Sequence, residues 1–207
     1  MAYFPMCISL KNSYIILVGD GTAALEKLQV LLPFGTNIHL YTENSFSESM
    51  WENHPQIHIF RRTLTKEDLE TVPRPAFVVV ADTAPSEKEH ISTMCFQKNI
   101  PVNVVDVPAL CSFYFPAIIK KGHLTVAVST GGKSPGAASY IRRKIELEIP
   151  DQTDEILEWL SDVRTEYGPS LTPDKRRKFL KQVVSEAFEE NRPLTEDELY
   201  IILSSLN

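Results

Sequence analysis

Residues 14–28 read Tyr14-Ile15-Ile16-Leu17-Val18-Gly19-Asp20-Gly21-Thr22-Ala23-Ala24-Leu25-Glu26-Lys27-Leu28. An all-apolar run ends in two closely spaced glycines. Leu25, Leu28, Leu31 and Leu32 then recur at helical spacing until Pro33 and Gly35 stop the pattern. Strand, tight turn and helix in that order, with G-x-G-x-x-A in the turn, describe the first unit of a dinucleotide-binding fold. Gly19 permits the turn, Gly21 lets the backbone approach a pyrophosphate, and the small Ala24 lets helix close on strand. The helix N-terminus behind Asp20 and Gly21 offers free N–H groups to phosphate oxygens. A plain glycine turn is the other reading of such a match, and the flanking strand and helix favour the dinucleotide.

Outward from this unit the alternation continues. Asn37–Tyr41, Ile57–Phe60, Phe77–Ala81 and Val102–Val105 read as further strands, and Pro85–Lys98 as a helix opened by proline and acid. Short β-branched runs alternating with helical patterns yield a Rossmann-like parallel sheet covered on both faces, an α/β architecture. After Asp106 the texture changes. Two short strands, Ala117–Lys120 and Leu124–Ser129, are broken up by Pro108, Pro116, Gly122 and the turn Thr130-Gly-Gly-Lys-Ser-Pro135. The remainder reads as helices over 136–147, 154–167, 173–190 and 195–206, with Thr195-Glu-Asp-Glu198 forming a capping box. The pattern divides the chain near Cys111: a Rossmann domain over 1–111, a small α+β segment over 112–150 and a helical C-terminal region over 151–207. No internal repeat or low-complexity tract interrupts it.

Composition narrows the classes. The 207 residues, 43% hydrophobic and 23% charged, are those of an ordinary globular protein. Cys7, Cys95 and Cys111 are odd in number and widely spaced, which encodes neither a disulfide scaffold nor a zinc ribbon and fits a reducing compartment. No apolar run is long enough for a membrane helix, and the first residues lack the order of a signal peptide, so a soluble, cytoplasmic protein is expected. The net charge of -6 comes entirely from the tail: residues 151–207 hold 7 basic and 13 acidic side chains, against 14 of each in 1–150. That balance excludes a non-specific nucleic-acid binder. Val107 to Ile145, by contrast, contains no acid but carries Lys120, Lys121, Lys133, Arg142, Arg143 and Lys144, a segment prepared for an anionic ligand.

Several side chains are candidates for chemistry. Glu43 follows the second strand, where an acid bonds ribose hydroxyls and repels an added phosphate, which favours NAD over NADP; a solvated loop glutamate is the alternative. Asp106 ends the run Pro101-Val-Asn-Val-Val-Asp106 at the carboxyl end of a strand, where a carboxylate can take a proton or simply form a turn before Val107-Pro108. Thr130-Gly-Gly-Lys-Ser-Pro135 is not a Walker loop, because Ala127 stands where the first glycine is needed. It reads as a turn into a helix whose N–H groups and Lys133 hold a carboxylate, or as a helix start alone. Tyr140 and Lys144 mimic a dehydrogenase pair by spacing only. Pro55 between His54 and His58 opposes a shared metal, and His39, His90 and His123 read as isolated strand or surface residues. No metal site is expected.

Five motifs in order, Phe4-Pro5-Met6, Val18 to Lys27, Asn103-Val-Val-Asp-Val-Pro108, Phe115-Pro-Ala117 and Ser129 to Pro135, resemble the siroheme-synthase dehydrogenase family. The family comprises precorrin-2 dehydrogenases, some of which are also sirohydrochlorin ferrochelatases. The likeness covers residues 1–150, and the helical tail in outline. It implies NAD-dependent oxidation of precorrin-2 to sirohydrochlorin by a homodimer built through the middle segment. By the same resemblance the catalytic carboxylate falls on Asp106, and the nucleotide contacts fall on Thr22, Ala23, Glu43 and Asn44 beside Gly19, Asp20 and Gly21. The hydroxyl of the S-[ST]-G-G motif falls on Thr130, a serine in some members proposed as a regulatory or substrate contact. Thr83 ends the run Ala81-Asp82-Thr83, where the family commonly has Ala-Thr-Asp, and is the candidate polar contact near the nicotinamide. A tetrapyrrole ringed with acetates and propionates suits the acid-free segment, with Thr130, Lys133, Ser134, Arg142 and Arg143 as its contacts. Two alternatives stand beside this one: a bifunctional enzyme that also takes iron as substrate, although no dedicated His or Cys iron cluster is evident, and a non-catalytic NAD-sensing module.

Overall fold

In a computed structural model, residues 4–43, 51 and 53–206 are described. Five strands, β1 (Tyr14–Val18), β2 (Asn37–Tyr41), β3 (Ile57–Phe60), β4 (Phe77–Val80) and β5 (Val102–Val104), form one parallel sheet in the order β3-β2-β1-β4-β5. Helix α1 (Thr22–Leu31) crosses from β1 to β2, and α2 (Pro85–Gln97) from β4 to β5. The strands are apolar throughout because both faces are covered. Ile15, Leu17, Ile38, Leu40, Val79 and Ala81 share a core with Ala24, Leu28 and Leu31 of α1. Alternate residues Ile16, Val18, Val78, Val80 and Val104 pack with Ile91, Met94 and Cys95 of α2. The expected α/β Rossmann-like sheet is therefore present, with its order reversing between β1 and β4, the switch point at which such sheets bind ligands.

The chain divides into two compact units between Phe115 and Pro116, rather than near Cys111. Residues 111–115 stay with the sheet for local reasons. The Cys111 Sγ accepts from the Val104 N–H at 3.1 Å, and Ser112 exchanges bonds of 2.8 Å with Val102 through its N–H and its Oγ. Phe113 and Phe115 then pack edge-on to Phe77, with centroids 5.2 and 6.0 Å away.

The second unit begins with an antiparallel hairpin, β6 (Ala117–Lys121) and β7 (Leu124–Val128), turned by Gly122 at φ +50. Helices α3 (Pro135–Glu148), α4 (Thr153–Tyr167), α5 (Pro173–Glu190) and α6 (Glu196–Ser205) follow. Ile156, Val163, Phe179, Val183, Leu199 and Ile202 make a separate core among the last three. The expected capping box holds: Thr195 Oγ1 accepts the Glu198 N–H, and the Glu198 carboxylate accepts the Thr195 N–H at 2.7 Å. Among the described residues no helix is long and apolar enough to cross a membrane.

Beyond β3 the chain is pinned by an ion pair. Arg62 donates to both oxygens of Asp68 at 2.6 Å and lies over the Tyr41 and Phe60 rings at 5.2 and 5.7 Å. The Asp68 Oδ2 also accepts from the Thr65 N–H and hydroxyl at 2.9 and 3.0 Å. The Arg62 guanidinium, with these further bonds, holds the Asp68 carboxyl well below the usual carboxylate range. A carboxyl depressed on folding stabilises fully above its unfolded pKa of about 4 and loses that contribution as pH falls through the folded value. Asp68→Asn should therefore lower the urea midpoint at pH 7, and the gap to the unaltered chain should close progressively below about pH 4. A gap that stayed constant with pH would remove the ionic explanation.

Candidate functional site

The β1–α1 turn is built by close approach. Gly19 takes φ +131, its N–H donates to the Tyr41 carbonyl at 3.0 Å, and a Cβ on it would lie 1.8 Å from the Ala81 oxygen. No other residue fits there. Gly21 is the N-cap of α1 in extended conformation, without a side-chain cap. Its missing Cβ matters for a reason the sequence does not show: that Cβ would lie 2.6 Å from the Asp82 Cγ. Asp82 follows β4 with φ +53, and its Oδ2 accepts the Ala24 N–H at 2.9 Å.

Beside this turn, Gly19, Asp20, Glu43, Asp82 and Thr83 line a cavity of about 210 Å³. Asp20 accepts from the Thr42 hydroxyl at 3.1 Å. Glu87, on the same wall, has its carboxyl pushed up first by burial, then by the Glu43 and Asp20 carboxylates. The Thr83 Oγ1 is buried and has no hydrogen-bond partner among the described residues. An orphaned hydroxyl beside a glycine turn and a helix N-terminus fits a dinucleotide: backbone N–H groups for phosphate, a hydroxyl for a polar group, and exposed Glu43 for ribose. Thr22 and Ala23 form the first residues of α1 beside the turn. Asn44 lies outside the described residues. A wider apolar groove of about 890 Å³ between α4 and α5 is lined by none of the candidate residues.

Asp106 is exposed in the turn after β5, at φ +64, at the same carboxyl end of the sheet. Two lysines reach this region. Lys88 Nζ donates to the Val105 carbonyl at 3.4 Å. Lys27, whose ammonium sits 4.8 Å from the Phe115 ring centroid, has its pKa lowered by burial and partly restored by Glu26 and Asp106. Lys27 closes one of the quoted motifs, yet helical spacing alone does not direct it toward a turn so distant in sequence.

The remaining candidates belong to the second unit. Thr130 Oγ1 accepts the Ser134 N–H at 3.1 Å and donates to the Ser134 carbonyl at 3.0 Å, while Ser134 Oγ caps α3 by accepting the Ala137 N–H. The turn is thus a well-formed helix start, with Gly131 and Gly132 at positive φ and Lys133 exposed. Arg142 is paired with Glu146 at 2.6 Å, and Arg143 donates to the Ser139 hydroxyl at 3.2 Å. Lys144 lies 5.9 Å from the exposed Tyr140 ring.

His123 is not isolated, and this corrects the sequence reading. Its Nδ1 lies 2.9 Å from Asp154 and 3.8 Å from Glu158, two acids one turn apart at the start of α4. This is the one group of three metal-type donors among the described residues, and it is open to solvent. His54 accepts the Gln56 N–H at 3.3 Å, and His39 stacks on Tyr14. The thiols are unpaired, and burial pushes Cys95 up to about 12, which rules it out as a nucleophile at neutral pH.

Sheet order and glycine turn define a doubly wound α/β protein of the dinucleotide-binding class. A family model described as "Putative NAD(P)-binding" matches residues 6–117, and one described as "Sirohaem biosynthesis protein central" matches 121–147. The chain belongs to the siroheme synthase N-terminal-like family. Siroheme synthase of Pseudomonas aeruginosa (strain LESB58) is 34% identical over 192 residues, 86% of this chain and 38% of that protein. The enzyme of the same name from Ectopseudomonas mendocina (strain ymp) is 37% identical over 150 residues, 72% of this chain and 32% of its own length. The chain thus spans well under half of these relatives. The solved structure "SirC, precorrin-2 dehydrogenase" superposes with a TM-score of 0.77 at 19% identity, covering 99% of this chain and 98% of that one, a likeness of fold.

Replacing Gly21 by alanine should drive the new methyl into Asp82 and fill the backbone's approach to the pyrophosphate. A loss of roughly 1–3 kcal/mol in urea unfolding and weakened NAD binding by calorimetry are expected. Unchanged stability and affinity would show that the turn is looser than its packing.

Proposed function

We propose that this chain is an NAD-dependent precorrin-2 dehydrogenase that oxidises its tetrapyrrole substrate to sirohydrochlorin. The observation that carries the reading is the pairing, at one end of one sheet, of a dinucleotide turn with an orphaned Thr83 hydroxyl and an exposed carboxylate, Asp106. The named activity of the family's relatives supports it.

Gly19, Asp20, Gly21, Thr22 and Ala23 hold the pyrophosphate side of the cofactor, Glu43 and Asn44 the adenosine ribose, and Thr83 the nicotinamide side. The acidic rim of Asp20, Glu43 and Glu87 favours NAD, because it repels the extra phosphate of NADP. When bound, the dinucleotide supplies a hydride acceptor. Asp106 takes the proton that leaves the macrocycle as its carbon is oxidised. Lys133 and Arg143, with the Thr130 and Ser134 hydroxyls and Arg142 beside Glu146, bind the peripheral carboxylates. Residues 116–150 form the dimerisation and substrate segment that follows the Rossmann domain and precedes the helical region of a cytoplasmic homodimer.

The test is an anaerobic absorbance assay with fresh precorrin-2 and NAD. NADH and sirohydrochlorin should appear together, and ferrous ion added as a second substrate should change the spectrum faster than the enzyme-free control only if the chain is also a ferrochelatase. No turnover with NAD still bound would instead support a sensing module. Asp106→Asn should keep NAD affinity and the dimer while lowering kcat by roughly 10²–10⁴-fold. Retained turnover would remove Asp106 from the reaction.

A further inference from the structure

The N-terminus of α1 already has an anion on it. Asp82 Oδ2 accepts the Ala24 N–H at 2.9 Å, and the carboxyl carbon stands over Gly21 so closely that a Cβ there would lie 2.6 Å away. Gly21 brings no side-chain cap, and the first turn of α1 holds no acid of its own. An anionic oxygen from the end of β4 thus occupies the face that a G-x-G-x-x-A turn presents to phosphate. The surroundings do not offset it. Asp20, Glu43 and Glu87 share the cavity wall, and among the described lining residues the one cation, Arg62, is engaged by both oxygens of Asp68.

We infer that Asp82 is an internal competitor of the cofactor's pyrophosphate, a carboxylate that leaves the α1 N-terminus, or repels the phosphate from beside it, whenever the dinucleotide binds. The inference rests on the nucleotide reading above and adds to it a residue that sets affinity. A helix N-terminus stabilises one nearby anion, and a second brought alongside the exposed Asp82 carboxylate meets like-charge repulsion. Asp82 consequently weakens cofactor binding and favours release of the cofactor after turnover. Two features separate this from a purely structural cap. Asparagine keeps an oxygen for the Ala24 N–H and tolerates the left-handed backbone of position 82, so it removes the charge and little else. Electrostatic competition is also screened by salt, whereas a lost structural bond is not.

The experiment is calorimetric titration of NAD into the full chain, unaltered and as Asp82→Asn and Asp82→Gly, at low and high ionic strength, with thermal melts of each free protein. Asp82→Asn should bind NAD roughly 3- to 10-fold more tightly at low salt, with the ratio shrinking at high salt. Asp82→Gly, which removes the carboxylate and accepts the left-handed backbone without strain, should move the same way and serves if the first variant folds poorly. Equal or weaker binding by a variant that melts as a folded protein would overturn the inference and leave the nucleotide reading intact. Failure of the unaltered chain to bind NAD would overturn both.

Discussion

The contact on which the site depends is that of Gly19 with the end of β4. A Cβ at that position would lie 1.8 Å from the Ala81 carbonyl oxygen, and the backbone turns there at φ +131. Only glycine satisfies both conditions. Because the turn leaving β1 is pressed against the residue leaving β4, everything after Ala81 is delivered onto the first turn of α1: Asp82 to the Ala24 N–H, and Thr83 to the cavity wall. The sheet order then places the end of β5, and Asp106 after it, next in line. One close approach thus positions the turn and its neighbours, and no disulfide among the described residues braces them.

Charge is sorted between the two units in a way that follows from how each ligand would be held. The cavity beside the glycine turn is lined by acids, so phosphate recognition there must come from backbone N–H groups and the dipole of α1 rather than from lysine or arginine. The acid-free run from Val107 to Ile145 puts its cations on β6, the Gly131-Gly132 turn and α3. A polycarboxylate substrate needs point charges and guanidinium forks. A dinucleotide that must be released each cycle is better served by dipoles opposed by a few carboxylates. Under the proposed function, the arrangement keeps the dinucleotide and the polycarboxylate from competing for the same cations.

Much of this fold is legible in the sequence because its determinants are local. All-apolar strands declare burial on both faces, and Thr195 with Glu198 declares a helix start; the strands and the capping box appear within a residue or two of the expected places. What escaped the sequence joins residues far apart. Asp82 and Ala24 are separated by 58 positions, and Asp82 reads in the sequence only as a departure from a family pattern. Cys111 and Ser112 extend the first unit through side-chain bonds to β5 that no hydropathy pattern encodes, which moves the boundary to Phe115. His123 looks solitary until the hairpin turn sets it against Asp154. Glycine motifs report backbone conformation well, but which side chain fills the space they leave is a property of the tertiary fold.

Asp82 and Asp106 share one further feature that bears on both roles. Each follows the end of a strand, β4 or β5, and each has a left-handed backbone, at φ +53 and +64. For an L-residue that conformation costs roughly 1–2 kcal/mol, least for Asp and Asn, whose short polar side chains bond locally. The strand ends therefore favour Gly, Asn or Asp on backbone grounds, and the charge is a separate choice among them. Alanine at either position would mix loss of charge with added backbone strain, and any effect it had on catalysis or cofactor affinity would be ambiguous. Asparagine separates the two, because it satisfies the turn and differs from the native residue chiefly in carrying no negative charge toward the ligand. Where a fold demands a left-handed residue at the carboxyl edge of a parallel sheet, Asp is one of the few types that meets the backbone geometry and also brings a carboxylate, so both are met by one residue.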